Sequence, residues 1–280
     1  MVFQSLADAR DYVLSNDEDY FITDEIIRGV SFKVFKNGPK LIPDILNLCL
    51  NHKEKDFLVF DKERYSFGEF HQLTCQIAHL LMDEYSIRPG DRVAILMKNS
   101  PEFPLIFMAL SSIGAVAVCL NSWWTSDELK YGFMDSKVKL VFTDEQRLAK
   151  IKGFVSEMGV QTVLCRHQNS DKSDEFWNSL LTSKNNELPR TTIDQDSDFA
   201  VMYTSGSTGH PKGVVMTHRG AISTLMSWHF GLRVLDVMGL GPVPYVDKNN
   251  QPYQPCQLVS VPFFHVSGTH GGLLLALWSG

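Results

Sequence analysis

The stretch FAVMYTSGSTGHPKGVVMTHRG, residues 199–220, decides how the rest of the chain is read. Its first part, Phe199 to Tyr203, has the length and apolar composition of a buried strand. The run then breaks into Thr204, Ser205, Gly206, Ser207, Thr208, Gly209, His210, Pro211, Lys212 and Gly213, and Val214-Val215-Met216 resumes a strand-like pattern. Glycines permit unusual backbone angles and let amide N–H groups converge on an anion. The hydroxyls of Thr204, Ser205, Ser207 and Thr208 add donors, and Lys212 adds a point charge suited to phosphate. A charged hydrogen bond of this kind is worth roughly 1.5–3 kcal/mol, so a handful would hold a triphosphate.

Other phosphate and nucleophile loops do not match. A Walker loop needs Ser or Thr after its Lys and then a helix, whereas Gly213 follows Lys212 and a strand-like run follows that. The dinucleotide fingerprint GxGxxG and the nucleophile elbow GxSxG are both absent. A hydrolase using Ser205 or Ser207 is a weaker alternative, because no recognisable base sits near either serine. A flexible Ser/Thr/Gly linker is disfavoured by the flanking strands and the embedded His-Pro-Lys.

Upstream, strand and helix patterns alternate. Leu41 to His52 reads as a helix with Pro43 in its first turn, and DFLVF (56–60) as a strand. Ser66 and Glu69 have capping-box spacing before an apolar stripe of Phe70, Leu73, Ile77, Leu80 and Leu81. The turn RPGD (88–91) leads into the strand RVAILM, and Asn99-Ser100-Pro101 opens another helix. AVAVCL (115–120) is a strand, and Thr125 with Glu128 caps a short helix. KLVFT (139–143), a helix through Met158, and VQTVLC (160–165) continue the series. The alternation predicts an α/β fold of mainly parallel sheets covered by helices. The division expected is a lead-in over residues 1–40 and one domain over 41–280. A polar surface connection over about 166–198 holds a short helix around Phe176 to Leu181.

Composition narrows the function classes. Twenty-six scattered basic residues against 32 acidic ones give a net charge of −6, which points away from nucleic acid and from anionic membrane. Five widely spaced cysteines form neither CxxC pairs nor a disulfide framework, so reduced thiols and a cytoplasmic setting, soluble or peripheral to a membrane, are expected. The acidic start is unlike a signal peptide. Phe103 to Leu120 carries no charge, but Pro104, Ser111, Ser112 and Gly114 make it a buried helix turning into a strand rather than a membrane span. His265 and His270 lack a third ligand at suitable spacing, so no metal site is assigned.

YTSGSTGHPKG (203–213) resembles the phosphate-binding signature of the adenylate-forming superfamily of acyl-CoA synthetases, peptide-synthetase adenylation domains and luciferases. RYSFGEFHQLTCQIAHLL (64–81), MALSSIGAVAVCLN (108–121), NSWWTSDELKYGF (121–133) and VPFFHVSG (261–268) resemble further segments of that family in order, so the likeness covers roughly residues 40 to 280. The resemblance implies that ATP activates a carboxylic acid as an acyl-adenylate, with Mg²⁺ assisting, and that CoA then takes the acyl group. It assigns Thr204, Ser205, Ser207, Thr208 and Lys212 to the β- and γ-phosphates, with Gly206, Gly209 and Gly213 shaping the loop. It assigns Phe264, His265, Val266, Ser267 and Gly268 to the acyl pocket.

Amino-acid-activating relatives carry an Asp where His265 stands, so an α-amino acid substrate is disfavoured. The apolar surroundings suit an acyl chain or aryl group, and with the WWTSDEL stretch they favour a fatty acid. The structural alternative for His265 is a core histidine bonded to backbone. Trp123 and Trp124 read as packing residues, and His210 and His218 as loop and helix-start residues.

Asn249 to Gly280 contains no charged residue and reads as the pocket strand followed by a core helix, both buried. The family's Tyr-Gly-x-Thr-Glu element, ribose-binding Asp and mobile C-terminal domain with its catalytic Lys have no counterpart here. The expectation is an incomplete N-terminal large domain, inactive alone, with no catalytic residue assigned and Lys212 distinct from that lysine. A non-catalytic nucleotide- or acyl-binding remnant is the alternative.

Overall fold

In the computed structural model, residues 3–280 are described except 168–175, 178–179, 181–184, 207–208, 244–245 and 247. The chain divides into two units, residues 1–40 with 220–258, and residues 41–219 with 259–280.

The first elements are α1 (Leu6–Asn16), capped by the Ser5 hydroxyl, and the hairpin of β1 (Ile22–Ile27) with β2 (Val30–Phe35). Next come α2 (Ile42–Leu48), with Pro at its start, a 3₁₀ turn over Cys49–His52, and a second hairpin of β3 (Asp56–Phe60) and β4 (Glu63–Ser66). Helix α3 (Phe67–Asp83) begins with the expected capping box: Ser66 Oγ accepts from the Glu69 N–H at 3.1 Å, and Glu69 Oε2 accepts from the Ser66 N–H at 2.8 Å.

The strands β5 (Arg92–Leu96), β6 (Val116–Cys119), β7 (Leu140–Asp144), β8 (Gln161–Arg166), β9 (Asp198–Thr204) and β10 (Lys212–Thr217) form one six-stranded sheet. Its order is β10-β9-β6-β5-β7-β8, parallel throughout except for β10. Their helices are α4 (Glu102–Ser112), α5 (Ser126–Ser136) and α6 (Glu145–Ile151). The chain closes with α7 (His218–Val237), a π-helix over Ser267–Leu274 and α8 (Leu275–Ser279).

The α/β architecture and mainly parallel sheet are those expected. Burial on both faces explains the continuous apolar runs of β5 and β6, since helices cover each side of a parallel sheet. Every residue of α4 is buried, which accounts for the charge-free run through Phe103. Among the described residues no helix is long and apolar enough to cross a membrane. The core packs Ala94, Leu96, Val118, Val141, Phe133 and Tyr203 together. In the smaller unit, Ala9 and Val13 of α1 bury against Val234 of α7.

Three expectations are corrected. The helix into Met158 ends at Ile151, because Gly153 follows and a three-residue turn, Phe154 N–H to Ile151 carbonyl, swings Phe154 and Val155 into the core. The stretch Val259 to His265 forms no strand but an irregular segment with a turn at Phe263–Phe264, since Pro262 lacks the N–H that a ladder requires. Nor is the charge-free stretch buried throughout: Leu258 is 91% exposed, and burial begins at Phe263 and Phe264. The short helix expected around Phe176 lies largely outside the described residues.

Candidate functional site

In an open parallel sheet, ligands bind beyond the carboxyl ends of the strands, where connections from adjacent strands diverge. The strand order creates such a place between β6 and β9: β6 connects across β5 to β7, whereas β9 turns the other way into β10. The loop between β9 and β10 is therefore at a switch point. A cleft of about 270 Å³ bordered by Arg92, Val116 and Asp198 lies at the opposite, amino ends of β5, β6 and β9. Its position makes it the poorer candidate.

The loop is a tight hairpin crossing. Thr204 pairs with Lys212 and Tyr203 with Gly213 in the antiparallel register. Gly206 backs onto the carbonyl of His210, leaving no room for a Cβ, and Gly209 has φ +93. Thr204, Ser205, Gly209 and Lys212 are exposed at the carboxyl edge of β9, and among the described residues no carboxylate pairs with Lys212. Ser207 and Thr208 lie outside the described residues.

Two groups hold the loop. The Tyr203 hydroxyl donates to Asp135 Oδ2 at 2.7 Å, with the Gly132 carbonyl at 3.3 Å. Burial, reinforced by the Asp135 carboxylate, raises the Tyr203 phenol well above its ordinary range. The His210 ring stacks on Tyr131, with centroids 4.7 Å apart and planes at 19°.

The second group of expected site residues runs from Phe264 to Gly268. Phe264 and Gly268 are buried, while His265, Val266 and Ser267 are exposed. His265 is thus no core histidine; the buried one is His270, whose Nδ1 meets the Thr269 hydroxyl at 3.1 Å. Burial lowers the pKa of His270 to about 4. His218 is likewise buried and lowered to about 4, its Nδ1 accepting from the Ile42 N–H at 3.2 Å.

Sequence reasoning passed over the residue that fixes this segment. Asn99, in the turn between β5 and α4, donates to the carbonyls of Val261 at 2.9 Å and Val259 at 3.4 Å. Its Oδ1 accepts from the Phe263 N–H at 2.9 Å. Phe263 stacks on Phe103, and Phe264 meets Trp123 edge-on at 5.3 Å. The adjacent Trp124 packs against Tyr203 at 5.3 Å. The turn after β6 therefore reaches the strand end just before the phosphate loop, through Trp124 as core packing, and the Phe264 segment, through Trp123 as a 67% exposed ring rather than the packing residue expected.

An open, mostly parallel sheet with this loop at its switch point defines an α/β domain of the adenylate-forming type. Residues 48–280 match the family described as AMP-binding enzyme, and the chain belongs to that family. It is 33% identical over 198 residues to 4-coumarate–CoA ligase CCL1 of Humulus lupulus, covering 70% of this chain and 34% of that protein. It is 31% identical over 218 residues to 4-coumarate–CoA ligase 3 of Arabidopsis thaliana, covering 77% and 36%. The N-terminal domain of FACL13 from Mycobacterium tuberculosis superposes with a TM-score of 0.66 at 25% identity, over 86% of this chain and 55% of that one. The anthranilate CoA ligase AuaEII, solved with anthranoyl-AMP, shares the fold with a TM-score of 0.69 at 19% identity, over 86% and 43%. The chain spans about a third of the length of the curated relatives it matches.

Proposed function

We propose that the loop from Thr204 to Gly213 binds the phosphates of ATP and that the protein activates a carboxylic acid for transfer to CoA. The observation that carries this reading is the loop's place at the β6/β9 switch point with Lys212 exposed beside its donors. In the reaction, a substrate carboxylate oxygen attacks the α-phosphorus, the bond to the bridging oxygen breaks, and pyrophosphate leaves. The CoA thiol then attacks the acyl carbon and AMP departs. Pyrophosphate accumulates charge as it leaves, and fixed N–H donors, the hydroxyls of Thr204, Ser205, Ser207 and Thr208, and Lys212 neutralise it without reorganisation. Among the described residues no three His, Cys, Asp or Glu side chains gather into a metal cage, so Mg²⁺ in this proposal arrives with the triphosphate.

The acid lies against Phe264 to Gly268. With no carboxylate in that segment to match an ammonium, the acid has an uncharged apolar body. A fatty acid is the first reading. An aryl acid is the second, supported by the Trp123–Phe264 pair and by similarity to proteins named 4-coumarate–CoA ligases.

Lys212→Ala tests the loop assignment. Removing one charge-assisted hydrogen bond weakens ATP binding by about 10- to 150-fold, while binding of the carboxylic acid stays unchanged. Equal loss of both would overturn the assignment.

A further inference from the structure

Tyr131 and Asp135 are one helical turn apart on α5, so their side chains leave the same face of that helix. That face meets the candidate phosphate loop twice. Asp135 accepts a hydrogen bond from the hydroxyl of Tyr203, the residue just before Thr204, and Tyr131 stacks on His210, two residues before Lys212. Between these two grips the loop folds back on itself through Gly206 and the His210 carbonyl. Trp124 presses on the Tyr203 ring from the side and lies against Gly132 of the same helix.

We infer that Tyr131 and Asp135 are positioning residues for the phosphate loop, holding its two ends in the binding geometry before ATP arrives. The inference rests on the proposed role of the loop. A chain rich in Gly and Ser samples many backbone states, and fixing them on binding costs affinity. Anchors at both ends remove much of that cost in advance. Tyr203 is fixed from within the core, by its hydrogen bond and by Trp124. His210 is exposed and is held by the Tyr131 ring, so the stack governs the far end.

The test uses the 280-residue chain, with two readouts: amide hydrogen exchange across residues 204–212 without nucleotide, and the affinity for Mg·ATP. Tyr131→Ala is expected to speed loop exchange and to weaken ATP binding, each by about threefold to tenfold. Tyr131→Phe, which keeps the ring, restores both values. His210→Ala changes only an exposed side chain, so it reports on the stack even if Tyr131→Ala folds poorly, and the double variant adds nothing further. A merely structural role would lower the melting temperature of Tyr131→Ala without accelerating exchange in His210→Ala. Loop exchange and ATP affinity both unchanged in His210→Ala would overturn the inference. Lys212→Ala separates the two claims: normal ATP affinity in that variant removes the phosphate reading, while exchange measured without nucleotide still decides whether α5 orders the loop.

Discussion

Replacing Gly206 with alanine probes the loop geometry with a single methyl group. The new Cβ would collide with the His210 carbonyl oxygen, and the His210 carbonyl carbon at 3.3 Å and Lys212 Cγ at 3.6 Å close off the neighbouring space. The obstacle is backbone, which cannot swing aside as a side chain would. The crossing must open, and a displacement of about 1 Å is enough to misalign groups preset for a ligand. Breaking one charge-assisted hydrogen bond in this way corresponds to roughly 1.5–3 kcal/mol, or about 10- to 150-fold weaker ATP binding. Because the clash is with backbone, the substitution should also destabilise the fold, by about 1–3 kcal/mol, while the strain, falling beyond the β9–β10 ladder, leaves a single cooperative melt. Isothermal titration with Mg·ATP, paired with a thermal melt, reads both quantities. Gly231→Ala on α7 serves as the control, since nothing lies within 4 Å of its added Cβ. Wild-type ATP affinity in Gly206→Ala would show that the close Gly206–His210 crossing does not shape the ATP site.

Three further outcomes are expected. His218 and His270 are kept neutral by burial, with pKa values of about 4. An unfolded histidine takes its proton near pH 6.5. Below that pH the unfolded chain therefore binds protons that the folded chain refuses, and stability falls as pH drops from 6.5 towards 4, by about 3 kcal/mol per histidine at full extent. Urea midpoints measured across this window, with a flatter profile in His270→Gln, check the effect; a flat profile in the parent would contradict it. Glu102 is fully buried and pairs with Arg166 at 2.7 Å while accepting from the Trp177 indole N–H at 3.1 Å. Glu102→Ala should cost about 3 kcal/mol in urea unfolding because Arg166 loses one of its two carboxylate partners in a half-buried setting. Asn99→Ala removes the hydrogen bonds that hold residues 259–263 and should weaken binding of the acid while leaving ATP affinity intact, as read by separate titrations.

Local signals carried the elements and tertiary ones did not. Capping boxes at Ser66 and Thr125 are written in four residues each, and both formed as spaced. The apolar runs of β5 and β6 announce a sheet covered on both faces. By contrast, the return of β9 to the side of β6, which creates the switch point, depends on strand order and has no local signature. The stack of Tyr131 on His210 and the Asn99 clamp join residues far apart in sequence, and nothing near either partner predicts them. Lack of charge was a poor guide to burial at Leu258, because Gln, Ser, Pro and Gly sit at a surface without carrying charge. Likewise the choice between His265 and His270 as the buried imidazole depends on where the π-helix begins: His265 sits in the bend before it and His270 within it, which a lone His does not signal.

The proposed role of the loop from Thr204 to Gly213 is to receive the phosphates of ATP. Backbone amide shifts recorded by nuclear magnetic resonance during titration of the chain with Mg·ATP test it most directly. The largest changes should fall on Ser205, Gly206, Gly209 and Lys212 and require about 10- to 150-fold more Mg·ATP in Lys212→Ala. Changes centred elsewhere, or reached at the same Mg·ATP concentration in that variant, would contradict that role.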